Sequence, residues 1–110
     1  MLFALEVDYT AEAMSALIRN PVDRSKALAK MVEGTPTKVV GWYATSGGDK
    51  LGALIIYDVA DEMTFTAILD VARASAAFSS IRSTRLLTGE EARQGLIQAQ
   101  EVQKLYQPPK

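Results

Sequence analysis

Leu51-Gly52-Ala53-Leu54-Ile55-Ile56-Tyr57-Asp58-Val59 is the stretch on which the fold turns. Read as an extended strand, it places Leu51, Ala53, Ile55, Tyr57 and Val59 on one side and Leu54 and Ile56 on the other, so both sides are apolar. Strands with that pattern are buried on both faces. Just upstream, Lys38 to Thr45 reads as a second strand, with Val40, Trp42 and Ala44 on one face and Val39, Gly41 and Tyr43 on the other. Ser46-Gly47-Gly48-Asp49-Lys50 joins the two as a short glycine-bearing turn, which makes a β-hairpin.

The flanks of the hairpin follow simple periodicities. Residues 2–9 alternate, with Phe3, Leu5, Val7 and Tyr9 opposite Ala4, Glu6 and Asp8, and read as a strand with one strongly apolar face. Thr10 offers an N-cap to a helix carrying Met14, Leu17 and Ile18, and Asn20-Pro21 interrupts it. Asn20 can cap a second segment with Pro21 in its first position, so two helical pieces are expected to meet at an elbow. Ala27, Leu28 and Met31 continue the apolar stripe until Gly34 and Pro36 end it. After the hairpin, Asp61 caps a helix with Phe65, Ile68, Leu69 and Ala72 at helical steps, and Ala74, Ala76 and Ala77 allow close packing. Ile81 to Leu87 reads as the fourth strand. Thr88 and Glu91 have capping-box spacing for a last helix running to about Leu105, and Tyr106 to Lys110 should leave as an extended arm.

Strand, helix, hairpin, helix, strand is the ferredoxin-like βαββαβ order: an α+β fold with a four-stranded antiparallel sheet, here with an added C-terminal helix. One domain over residues 1–105 is expected, since no linker or internal repeat divides the chain. Both repeat helices lie on one face of such a sheet. At about 25 cal/mol per Å² of apolar surface, wetting the other face would cost several kcal/mol. Cover comes either from a second copy packed sheet to sheet, which is the favoured reading, or from the C-terminal helix folded back. A homodimer or higher homo-oligomer is therefore the expected partner state.

Composition narrows the function classes. Twelve basic and thirteen acidic side chains leave a net charge of −1 with no basic stripe, which disfavours nucleic-acid and membrane partners. The N-terminus lacks the features of a secretory signal, and a cytoplasmic location is expected. Without cysteine there are no disulfides or thiolate chemistry, and without histidine acid–base work falls to carboxylates, Tyr or Lys. No carboxylate cluster suggests a metal, and no cofactor is called for.

Three constellations carry chemical interest. Trp42 and Tyr57, with Tyr43, lie on the central strands, where they either pack a core or line a pocket for a flat organic ligand. Glu6 and Asp8 share a face of the first strand, which in ferredoxin-like order adjoins the strand carrying Arg82 and Arg85. An acid–base site with an anion-stabilising arginine and an ion pair that fixes register are both open, the structural role being favoured. Residues 46–50 hold the materials of an anion nest but not the spacing of a phosphate loop, and a plain turn is favoured.

Tyr9-Thr10-Ala11-Glu12-Ala13, Asn20-Pro21-Val22-Asp23-Arg24, the hairpin about Gly48-Asp49, and Ile81-Arg82-Ser83-Thr84-Arg85-Leu86-Leu87-Thr88 with Glu91 beyond it resemble the GYD domain family of small bacterial proteins, as does the Tyr106-Gln107-Pro108-Pro109 ending. Where that family shows Gly-x-Tyr-Asp at the hairpin tip, this chain reads Gly47-Gly48-Asp49. The resemblance implies a dimeric α+β barrel of unassigned function, and its motifs are caps, turns and strand ends rather than catalytic residues. The expectation is a non-catalytic homo-oligomer that binds a small molecule or a protein. The alternative, by fold analogy, is a cofactor-independent enzyme, monooxygenase- or isomerase-like, working in a pocket between sheet and helices.

Overall fold

The period-two segment at the N-terminus forms strand β1 (Leu2–Tyr9) in the computed structural model, which describes residues 1–47 and 50–109, Lys50 and Leu51 through their backbone alone. The expected turn at Gly48-Asp49 lies outside the described residues. Helix α1 (Ala11–Arg19) begins at Thr10, whose hydroxyl accepts the Ala13 N–H at 3.1 Å. Helix α2 (Arg24–Val32) starts later than the Asn-Pro step suggests. Asn20 closes α1, and Asp23 caps α2 by accepting the Ser25 N–H at 3.0 Å. The carboxylate takes the capping role, and Asn20, which precedes a proline, is held out of the helical region.

Strands β2 (Thr37–Gly47) and β3 (Lys50–Val59) form the hairpin, helix α3 (Glu62–Ala74) follows from its Asp61 cap, and β4 (Phe78–Leu86) starts three residues before Ile81. Helix α4 (Gly89–Leu105) opens with the reciprocal capping box: Thr88 accepts from the Glu91 N–H at 3.1 Å, and the Glu91 carboxylate accepts from the Thr88 N–H at 3.0 Å. The strands form one antiparallel sheet in the order β2-β3-β1-β4, the ferredoxin-like arrangement.

Register sorts the side chains. Leu5 lies opposite Ile55, Val7 opposite Ala53 and Phe3 opposite Tyr57, all on the helix-covered face. There Leu5, Val7, Ala53, Ile55, Tyr57 and Val59 join Val32 of α2 and Phe65 and Leu69 of α3 in the core. Phe65 stacks on Phe3 with ring centroids 4.3 Å apart and meets Tyr57 edge-on at 5.9 Å. A Cβ at Gly52 would sit 1.7 Å from the Val7 carbonyl oxygen, so the β1–β3 approach admits no side chain there.

One facing differs from simple alternation. Pairing shifts between Val39↔Tyr57 and Gly41↔Ile56, leaving Val40 as the extra residue of a β-bulge. Val39 therefore shares the core-facing side with Trp42, while Val40 is 60% exposed. The ring of Tyr43 lies against Gly41, where a Cβ would meet it at 3.1 Å, and Gly41 gives the bulge its room.

The second sheet face carries Ala4, Leu54, Ile56 and Leu86. Cross-strand neighbours leave Leu54 and Ile56 half-buried, and Tyr43 beside them is 61% exposed. Helix α4 does not cover this face: it buries none of its residues and packs extensively on no strand. The chain is drawn out to 58 × 37 × 24 Å with a radius of gyration of 17.7 Å, against about 13 Å for a compact chain of this length.

Ala76, expected within a close-packed alanine run, stands beyond the end of α3 with φ of 58°. That left-handed conformation suits glycine, and an L-residue with a Cβ holds it at a cost of about 1–2 kcal/mol. Ala76→Gly should therefore raise unfolding stability by about 0.5–1 kcal/mol, after allowing for the freer glycine in the unfolded chain; urea unfolding curves measure it.

Candidate functional site

Between the sheet and helices α2 and α3 lies a cavity of about 160 Å³. Its floor is the core-facing side of the sheet: Leu5, Val7, Trp42, Ile55 and Tyr57. Leu28 and Met31 of α2 and Ile68 and Val71 of α3 form its roof, and Tyr9 and Phe78 close one end, with ring centroids 5.6 Å apart. Where α3 gives way to β4, the lining falls to Ala72, Ser75 and Ala77. These small side chains leave space that a leucine would fill.

The polar groups of this apolar chamber are few. Burial pushes the Tyr57 hydroxyl up to about 12, and at 1% exposure the residue is a neutral phenol throughout the physiological range. The indole Nε1 of Trp42 is buried and has no acceptor among the described residues. An unmatched buried donor costs about 1–3 kcal/mol. Arg24, the first residue of α2, contributes the lining's only charged side chain. No carboxylate and no histidine is present in the lining.

The sequence-derived candidates divide between the two faces of the sheet. Trp42 and Tyr57 line the cavity, joined by Arg24, Tyr9 and Phe78, which sequence reasoning did not select. Glu6 and Arg82 are register partners on the opposite face, and the guanidinium donates to the carboxylate at 2.9 Å. At 51% and 75% side-chain exposure this is a surface ion pair, of the kind worth about 0–1 kcal/mol, rather than a desolvated acid–base pair. Ser80 donates to the Asp8 carboxylate at 2.6 Å beside it. Arg85 turns to the helix side, 5.5 Å over the Phe3 ring, and its Nη2 lies 3.4 Å from the Glu91 carboxylate. The hydrogen bonds of the α4 capping box hold that carboxylate below its ordinary range, with the Arg85 charge a smaller cause. Arg82 and Arg85 thus do not act together, and the acidic pair never meets the aromatic cavity.

No family model and no curated protein matches the chain. Among solved structures, the 5-chloro-2-hydroxyhydroquinone dehydrochlorinase of Burkholderia phenoliruptrix, in complex with 2,5-dihydroxybenzoquinone, is similar with a TM-score of 0.57. The match covers 82% of this chain and 97% of that one at 15% identity. At that identity the likeness is one of fold, in agreement with the α+β architecture described above.

The raised Tyr57 value has a consequence for stability. An unfolded tyrosine ionises near pH 10. Between there and about 12 the folded chain keeps a proton that the unfolded chain has lost, so stability falls as pH rises through this window. The contribution is fully present below pH ~10 and declines at roughly 1.4 kcal/mol per pH unit above it. Tyr57→Phe should remove that part of the alkaline decline, as read from urea unfolding of both proteins at matched alkaline pH.

Proposed function

We propose that the chain is a single domain over residues 1–105 with a short arm at 106–110, of the GYD-like dimeric α+β barrel kind, working as a homodimer that binds a small planar aromatic molecule in the cavity between sheet and helices. The observation that carries this reading is the cavity itself. It joins Trp42, Tyr57, Tyr9 and Phe78 around a volume of about 160 Å³. An apolar cavity of ~150 Å³ accepts a benzene-sized ring, so one ring with few substituents is the size limit. The polar residues of the lining are Tyr9, Arg24, Trp42, Tyr57 and Ser75, and Tyr57 stays protonated.

A binding role suits the lining better than proton-transfer chemistry, because no residue lining the cavity is a histidine or a carboxylate. The cofactor-independent enzyme is the second reading, and one observation favours it. The dehydrochlorinase of similar fold is in complex with a one-ring dihydroxybenzoquinone, a molecule of the size this cavity admits. Glu6, Asp8, Arg82 and Arg85 stand outside the ligand site in both readings.

The dimer rests on the uncovered sheet face. Four strands at their usual spacing outline a face of roughly 500–600 Å², approaching the ~800 Å² that each partner contributes to a stable interface. The stripe of Ala92, Leu96, Ala99 and Val102 along α4, at steps of three and four residues, adds apolar surface of its own.

Two measurements test these statements. Static light scattering should give a mass near twice 11.9 kDa at micromolar concentration, and Ile56→Asp should shift it toward the monomer while the helix-side core stays intact. Trp42 is the lone tryptophan. Phenol should therefore change its fluorescence saturably in the native protein, and Ala72→Phe, which fills the cavity, should abolish that response. A linear, unsaturable response in the native protein would count against the ligand site, and phenol consumption on incubation would favour the enzyme.

A further inference from the structure

We infer that Arg24 makes the cavity selective for an anionic ring, a carboxylate- or phenolate-bearing aromatic; the inference rests on the ligand site proposed above. Arg24 lines the cavity and also the two shallower depressions that adjoin it under the α1–α2 elbow, so it stands where the chamber opens toward solvent. Tyr9 shares all three of these surfaces, and Trp42 shares two of them, which ties the charge to the aromatic lining.

Three features single out this arginine. It is half-buried, yet no carboxylate pairs with it among the described residues, in contrast to Arg73, Arg82, Arg85 and Arg93, each of which has an acidic partner within 4.0 Å. It opens α2, where the helix dipole is positive and a cation is disfavoured, so helix stability does not account for its placement. Among the described residues the chamber's own lining holds no acidic side chain, Glu12 lying in one of the adjoining depressions instead. An arginine that lines an apolar chamber can receive a carboxylate or phenolate oxygen, which a guanidinium binds through paired N–H donors.

The simpler role for Arg24 is to cover apolar surface with its aliphatic stem. Benzoate and benzamide separate the two, since they are alike in shape and differ in charge. By Trp42 fluorescence and calorimetry, the native protein should bind benzoate about tenfold to a hundredfold more tightly than benzamide, the range expected of a charge-assisted hydrogen bond. Arg24→Met keeps the stem and removes the charge; it should bring benzoate down to the benzamide level and leave benzamide unchanged. Arg24→Lys should restore part of the preference. Equal binding of both by the native protein, or a benzoate preference that survives Arg24→Met, overturns the role of Arg24 while the cavity stands as a ring site. Binding of neither compound overturns the ring site and this inference with it. Loss of benzamide binding in Arg24→Met shows that the guanidinium shapes the site for any ring rather than selecting an anion, and also overturns it.

Discussion

Everything in this fold follows from a central strand, β3, that is apolar on both sides in a sheet with helices on just one face. Strand β3 lies between β2 and β1, and its Ala53, Ile55, Tyr57 and Val59 are sealed under α2 and α3, while Leu54 and Ile56 face away. Hydrophobic burial acts in proportion to area and without direction, so the helix side folds the chain while Leu54 and Ile56 on the other side are only half-buried. The two faces thus differ. One holds the core and the cavity, and the other carries the exposed Glu6–Arg82 pair beside Leu54 and Ile56.

The cavity is produced by mismatch in side-chain size rather than by a gap between elements. Large residues from β1, β2 and β3 rise to meet α3, but the helix answers with Ala72 and then ends, and Ser75 and Ala77 continue the small lining. The bulge at Val40 matters here as well. It carries the strand across one residue of mismatch, so that Val39 and Trp42, which strict alternation would separate, both pack toward the core. Without that extra residue the indole and the Val39 side chain could not share a face.

Much of this was legible in the residues. Period-two patterns mark β1 and β3, the Thr10, Asp61 and Thr88 caps place three helix starts, and the ferredoxin-like order alone puts Glu6 beside Arg82. Those features are local, or follow from topology alone. The bulge escaped because Val39-Val40-Gly41 is equally compatible with plain alternation, and only pairing with Ile56 and Tyr57 reveals the extra residue. Arg24 escaped because its interest lies in what does not approach it, a property of tertiary structure. Trp42 and Tyr57 were visible as aromatic residues on central strands. That they border one chamber, and that Arg82 and Arg85 diverge to opposite sides, required the register and the helices together. The residues behind the GYD resemblance are caps, turns and strand ends, features that carry fold rather than chemistry, and the α+β sheet is the part of its implication that the structure bears out.

Helix α4 also governs how the molecule moves through solvent. A lone chain with this projecting rod meets more friction than a sphere of equal mass, so it elutes and sediments as if its mass were misjudged: early from a porous matrix, slowly in a centrifugal field. If two chains laid their rods along one another's bodies, drag per chain would drop as mass doubled. Elution volume alone is therefore a poor gauge of this chain's mass.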